Sequence, residues 1–163
     1  GEKLLSSYQD LDNVGIFDIR SAGGTFLFSG TSDSQPSWDF RLTTDIPIDL
    51  NVNMIVGKLV LEAQELNLSN LLTSLVVGET VVYLPEEGNL SAKVEGVIGK
   101  TILYVPDSMA VSINARAGFL NVWVPEDYVS RDDRYYSPNY FSAANHLDLE
   151  VSQVIGQVSI EKK

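Results

Sequence analysis

Cysteine is absent from the 163-residue chain, which excludes disulfides, thiolate nucleophiles and cysteine-ligated metals. Histidine occurs once, at His146, so a histidine zinc site is excluded and a Ser-His-Asp relay would rest on one imidazole. Its setting among Tyr and Asn residues reads as a polar surface group. Basic residues are scarce: 11 Lys+Arg against 22 Asp+Glu leave a net charge of −11. Such a surface repels phosphate backbones and anionic bilayers, so no nucleic-acid partner is expected. No apolar run approaches the ~18 residues of a membrane span, so this segment is not expected to insert directly into a membrane. Gly-x-Ser-x-Gly elbows, P-loops and dinucleotide fingerprints are missing, and Gly23-Gly24 lies between strand patterns instead of opening a helix. No cofactor, metal, catalytic residue or enzymatic activity is expected.

What the chain has is a repeat. Gly57, Gly78 and Gly99 are spaced by 21 residues, Gly118 follows after 19, and Gly156 after a further 38. Gly24 makes a sixth member. Seven residues before these glycines stand Phe17, Leu50, Leu71, Ala92, Val111 and Leu149; five before stand Ile19, Val52, Thr73, Val94, Ile113 and Val151. Two after come Phe26, Leu59, Thr80, Thr101, Leu120 and Val158; four after come Phe28, Leu61, Val82, Leu103, Val122 and Ile160. Alternation with period two on each side means strand, and the phase slips by one residue across the glycine. A corner at the glycine keeps both apolar sets inward, because glycine tolerates positive φ. Pro85, Pro106 and Pro125 each fall seven residues after a glycine and mark the strand ends, since proline cannot donate to a ladder.

These columns predict an all-β, single-domain, right-handed β-solenoid of about six rungs with a glycine corner per rung. An antiparallel β-sandwich is the rival, but it does not account for glycine, proline and four apolar columns aligning together. The reading assigns residues 1–13 to an N-terminal cap or linker and 14–163 to the solenoid, with an inserted aromatic loop over 126–146. A helical turn is admitted between Glu62 and Leu72.

The strand after each glycine is also apolar on its outer side, as expected of a strand covered on both faces. Consecutive stacking would set Tyr83, Tyr104 and Trp123 in one aromatic column, beside Val60, Val81 and Ile102. The insert supplies Tyr128, Tyr135, Tyr136, Tyr140 and Phe141, aromatics suited to cover that face. Left open, it would contact a protein or glycan partner, or a second copy in a homodimer. The candidate binding residues are therefore Val81, Tyr83, Ile102, Tyr104, Trp123, Tyr135, Tyr136 and Tyr140.

Other polar features read as bland. Asp132-Asp133 and Glu86-Glu87 match no calcium-loop pattern and are expected to be solvated turns. Lys93 and Glu95 form an outward acid–base pair, less than a polysaccharide lyase or hydrolase needs. Asn67-Leu-Ser and Asn89-Leu-Ser match a glycosylation acceptor and read as coincidence.

The run Trp38-Asp-Phe-Arg-Leu42, Ile46-Pro-Ile-Asp-Leu-Asn-Val52 and Val56-Gly57-Lys-Leu59-Val-Leu61 resembles the toast-rack domain of LiaF-like and related putative-adhesin families. Asn67–Leu71, Tyr135–Tyr140 and Ala143–Leu149 share their cadence. Val77-Gly78 and Ile155-Gly156 depart from it, standing where these families often carry glycine–alanine–glycine. The resemblance implies a bacterial cell-envelope or extracellular module linked to adhesion or envelope-stress signalling. It would be exported or anchored through a segment outside this chain, which opens on Gly1. A carbohydrate-binding or carbohydrate-active solenoid is the alternative.

Overall fold

The computed structural model describes residues 4–11, 14–21 and 37–163. The chain divides into two compact units, Gly1–Arg41 and Leu42–Lys163. In the first, β1 (Leu4–Leu11) and β2 (Val14–Ser21) pair antiparallel, with Leu11 opposite Val14. Phe17 and Ile19, expected in a first solenoid rung, thus belong to a hairpin, where both are exposed. Gly24, Phe26 and Phe28 lie outside the described residues.

The second unit holds β3 (Ile48–Glu62), β4 (Leu68–Tyr83), β5 (Asn89–Val105), β6 (Ala110–Trp123), β7 (Val129–Arg131), β8 (Arg134–Tyr136) and β9 (His146–Lys162). They form one sheet in the order β3-β4-β5-β9-β6-β8-β7, the five long strands all parallel. No helix is present among the described residues; the segment after Glu62 makes a short turn and enters β4 at Leu68.

Connector length dictates the shape of each long strand. A flat strand of this length spans about 50 Å, yet the linkers 63–67 and 84–88 reach only about 20 Å. A parallel neighbour must therefore begin close to where its predecessor ends, so each strand folds back on itself. The bend falls at Gly57, Gly78, Gly99 and Gly156, which stack in register with φ of 141°, 144°, 144° and 129°. Leu71, Val94 and Val151 before the bend share one core cluster with Val82, Leu103 and Ile160 after it. The four apolar columns are buried throughout β4, β5 and β9, and half-buried in β3 at the end of the sheet. Linkers stack too, through Ala63 N to Tyr83 O (2.9 Å) and Leu84 N to Tyr104 O (3.0 Å). The prolines stand where expected, Pro106 directly after β5 and Pro85 and Pro125 two residues after β4 and β6.

Two features depart from consecutive stacking. Strand β9 lies between β5 and β6, parallel to both, so the order along the sheet is not the order along the chain. Strand β6 is also shifted: Leu120, not Gly118, lies opposite Gly156, and Val111 pairs with Leu147. Gly118 therefore does not continue the glycine ladder. The apolar phase of β6 still matches, because a shift of two preserves which side faces in.

Among the described residues, one buried side-chain hydroxyl is unsatisfied. The Thr73 hydroxyl sits between Val52 and Val94 in the ladder and finds no hydrogen-bond partner among the described residues. Thr73→Val is expected to raise stability by about 1 kcal/mol, removing a desolvated hydroxyl at nearly constant shape. Urea unfolding with an unchanged slope checks this.

Candidate binding surface

On the outer side of the second legs, the register sets Val60, Val81, Ile102, Ser159 and Trp123 in one column. Glu62, Tyr83, Tyr104 and Glu161 form the next. Tyr83 and Tyr104 stack with centroids 4.6 Å apart and planes 9° off parallel. Trp123 does not extend that stack. The shift of β6 places it opposite Ser159, and β9 intervenes. Val81 is buried, Tyr83, Ile102 and Tyr104 are half-buried, and Trp123 is exposed. The tyrosines fill one face of each other. Glu161 flanks Tyr104 and, more than burial, holds its phenol above the usual range. The Lys163 ammonium lies 5.4 Å from the Tyr83 ring centre.

The insert packs elsewhere. Strand β8 pairs antiparallel with Ser112 and Ile113 on the first leg of β6. Arg134 donates to Ser112 Oγ (2.8 Å), and Ser137 receives Val111 N–H on its hydroxyl (2.8 Å) while donating its own N–H to Val111 O (2.9 Å). Asp132 and Asp133 form the two-residue turn joining β7 to β8, with φ of 50° and 59°, which the twist of a tight hairpin demands. Tyr135 packs against the core, whereas Tyr136, Tyr140 and Phe141 group outside it. His146 meets the Tyr140 ring edge-on at 5.5 Å. The eight expected site residues are thus split between two places and the core.

Tyr128 lies against the core beside Asp127 and Asp107. Burial first, then those carboxylates, push its phenol up to about 12. A raised phenol pKa disfavours ionisation in the folded state. Its contribution to stability is therefore intact below pH 10 and is lost as pH rises through about 12. Alkaline titration followed by phenolate absorbance should show a tyrosine titrating near about 12 that is missing in Tyr128→Phe.

Among the described residues, the acidic and basic groups that come close together form ion pairs. The Lys162 ammonium lies 2.5 Å from Asp127 and 3.7 Å from Asp107, occupying the gap that a glycosidic oxygen would need between two carboxylates. Lys93 and Glu95 pair with each other at 2.8 Å. No group of three or more acidic or histidine side chains suited to a metal occurs among the described residues, and no helix there could cross a membrane.

An extended exposed apolar feature among the described residues sits at the bend itself. Ile55-Val56, Val76-Val77, Val97-Ile98 and Val154-Ile155 directly precede the four stacked glycines. Exposure of these eight side chains runs from 38% to 70%. Val56, Val77, Ile98 and Ile155 are consecutive partners in the parallel ladders, so the doublets form a continuous aliphatic ridge across β3, β4, β5 and β9. Sequence reading by inward columns missed it. The signal was there: two successive aliphatics occupy each phase slip, where an outward corner ordinarily carries polar residues. Polar residues flank the ridge. Lys58, Glu79, Lys100 and Gln157 follow the glycines, and Lys58 pairs with Glu79 at 2.9 Å.

No curated protein matches the chain. A crystal structure of a "putative cell adhesion protein" from Clostridium sporogenes superposes with a TM-score of 0.89 at 20% identity, covering 99% of this chain and 77% of that one. At that identity the likeness shows the fold. The model of the family described as the N-terminal domain of toast_rack, DUF2154, matches residues 3–104, more than half of the sequence. That match ends within β5, so the cadence noted at Tyr135–Tyr140 and Ala143–Leu149 falls outside it. The chain belongs to the toast_rack N-terminal domain family.

Proposed function

We propose that the chain is a non-enzymatic interaction module of the cell envelope or cell surface, adhesin-like in use, that works by presenting a rigid apolar contact surface. One observation carries this: the aliphatic ridge sets eight side chains, each 38% to 70% exposed, side by side, and a contiguous apolar patch of this kind, on the order of 300–600 Å², is often functional on a soluble protein. The structural likeness to a "putative cell adhesion protein" and the family membership support an envelope or surface setting. The folded-over parallel strands support a right-handed solenoid path, the hand that parallel crossovers nearly always take.

A cross-linkable residue at Ile98, in cells displaying the chain, is expected to give covalent protein adducts. Val77→Asp should cut their yield at least about tenfold, since a charge on a desolvated apolar contact is strongly disfavoured, while thermal unfolding stays near the parent value. Absence of any adduct would sink the reading.

Carbohydrate binding is the second reading, favoured by exposed Trp123 on the outer face. Its tyrosine neighbours already use one ring face on each other, which leaves a smaller platform for a sugar. Saturable oligosaccharide binding by calorimetry, lost in Trp123→Ala, would establish it.

A further inference from the structure

The glycine bend holds a small cavity of about 10 Å³, whose lining includes Thr80 of β4, Gly96 and Thr101 of β5, and Gln153 of β9. The space exists because position 96 carries no side chain: Gln153 lies opposite Gly96 and reaches over it, within 3.3 Å of where a Cβ would stand. Thr80, Thr101 and Gln153 are each at most 3% exposed. Polar atoms buried so deeply need partners, from the protein or from a bound molecule.

A count of donors and acceptors identifies that molecule. The Gln153 amide spends its protons on Gly99 O and Ile155 O, and the Thr101 hydroxyl spends its single proton on Gln153 Oε1. What remains is a second lone pair on Gln153 Oε1, the lone pairs of Thr101 Oγ1, and the Thr80 hydroxyl, which rotates to give or take. Such a set offers too little donation for an anion, and three neutral side-chain oxygens fall short of the six or more that calcium takes. It suits a small molecule with two protons to give and a lone pair to receive. The volume sits at the lower limit of what one water needs, and three polar partners are the usual number for a buried water.

We propose that the cavity is a structural water site, in which one water accepts from Thr80 Oγ1 and donates to Gln153 Oε1 and Thr101 Oγ1. Strands β4 and β9 are not neighbours, since β5 runs between them. The water joins them across Gly96, extending the Gln153 network to a third rung. Thr73, on the same strand as Thr80, does not line the cavity and has no such supply.

Two identical substitutions on β4 test the site, because they should act with opposite sign. Thr73→Val removes an orphaned hydroxyl and is expected to stabilise. Thr80→Val removes a partner of the water and should lower the folding equilibrium constant at least about fivefold in urea unfolding. Valine suits that column, which Val158 shares with Thr101. A crystal map at atomic resolution should show one water within hydrogen-bond reach of Thr80 Oγ1 and Gln153 Oε1, kept in Thr80→Ser and lost in Thr80→Val. A map of the unaltered chain with no peak there overturns the proposal, as does a Thr80→Val that gains stability like Thr73→Val. Should Thr80→Val fail to fold, the map of the unaltered chain decides alone.

Discussion

Gly99→Ala is expected to abolish cooperative folding or cost at least about 4 kcal/mol, whereas Gly57→Ala, chemically the same change, should cost only about 1–3 kcal/mol. The difference lies in what stands beneath each glycine. A Cβ on Gly99 would fall 1.8 Å from the carbonyl oxygen of Gly78, and one on Gly78 equally close to Gly57 O. Backbone of a neighbouring rung cannot yield without breaking the ladder. At Gly57 the nearest atom is Met54 Cε at 3.2 Å, the mobile end of a side chain, so only the cost of φ +141° remains. Gly156→Ala should fall with the severe pair, since it meets Gly99 O at 1.8 Å as well as Gln153. Chemical denaturation of the four variants reads the order directly. Equal losses at all four would show that dihedral strain alone, and not the stacking, makes glycine necessary.

The second large effect concerns Gln153, a glutamine buried to 3% exposure inside the bend of β9. It lies opposite Gly96, whose missing side chain leaves room for it. Its amide donates to Gly99 O and, at 3.1 Å, to Ile155 O; its carbonyl accepts from Thr101 Oγ1 at 2.9 Å. One side chain thereby ties the bend and the second leg of β5 to the bend of β9. Gln153→Leu keeps the volume but strands a buried hydroxyl and weakens two carbonyl contacts, for an expected loss of about 2–4 kcal/mol. Thr101→Val in the same background should recover about 1 kcal/mol by removing the orphaned hydroxyl. A double-mutant cycle in urea measures the coupling. Strict additivity would mean that the hydrogen bond contributes nothing.

The parts of this architecture visible in sequence are those fixed locally. Period-two alternation and a glycine at each phase slip report strand direction and bend, and Leu71, Val94, Leu103 and Ile160 are buried where that pattern puts them. Pairing between strands is non-local, and there the reading failed. Gly118 and Gly156 look equivalent in sequence, but closure of the core around β9 sets Leu120 at the bend, which removes Trp123 from the tyrosine stack. The aromatic insert was expected over that stack because its composition suits the task. Its anchors, Arg134 and Ser137, instead find partners at Ser112 and Val111 on the other leg. Ile55 and its counterparts were invisible to a search for inward columns, since corner residues belong to neither alternation.

The interposed strand gives the molecule an order of assembly. A sheet stacked in chain order can grow one rung at a time, each new strand docking on the last. Here β5 and β6 have no shared neighbour until His146–Lys162 arrives, and that strand closes two ladders in a single event. The β5–β9 and β6–β9 ladders therefore depend on one strand, so this end of the sheet closes like a clasp while β3, β4 and β5 can stack in chain order.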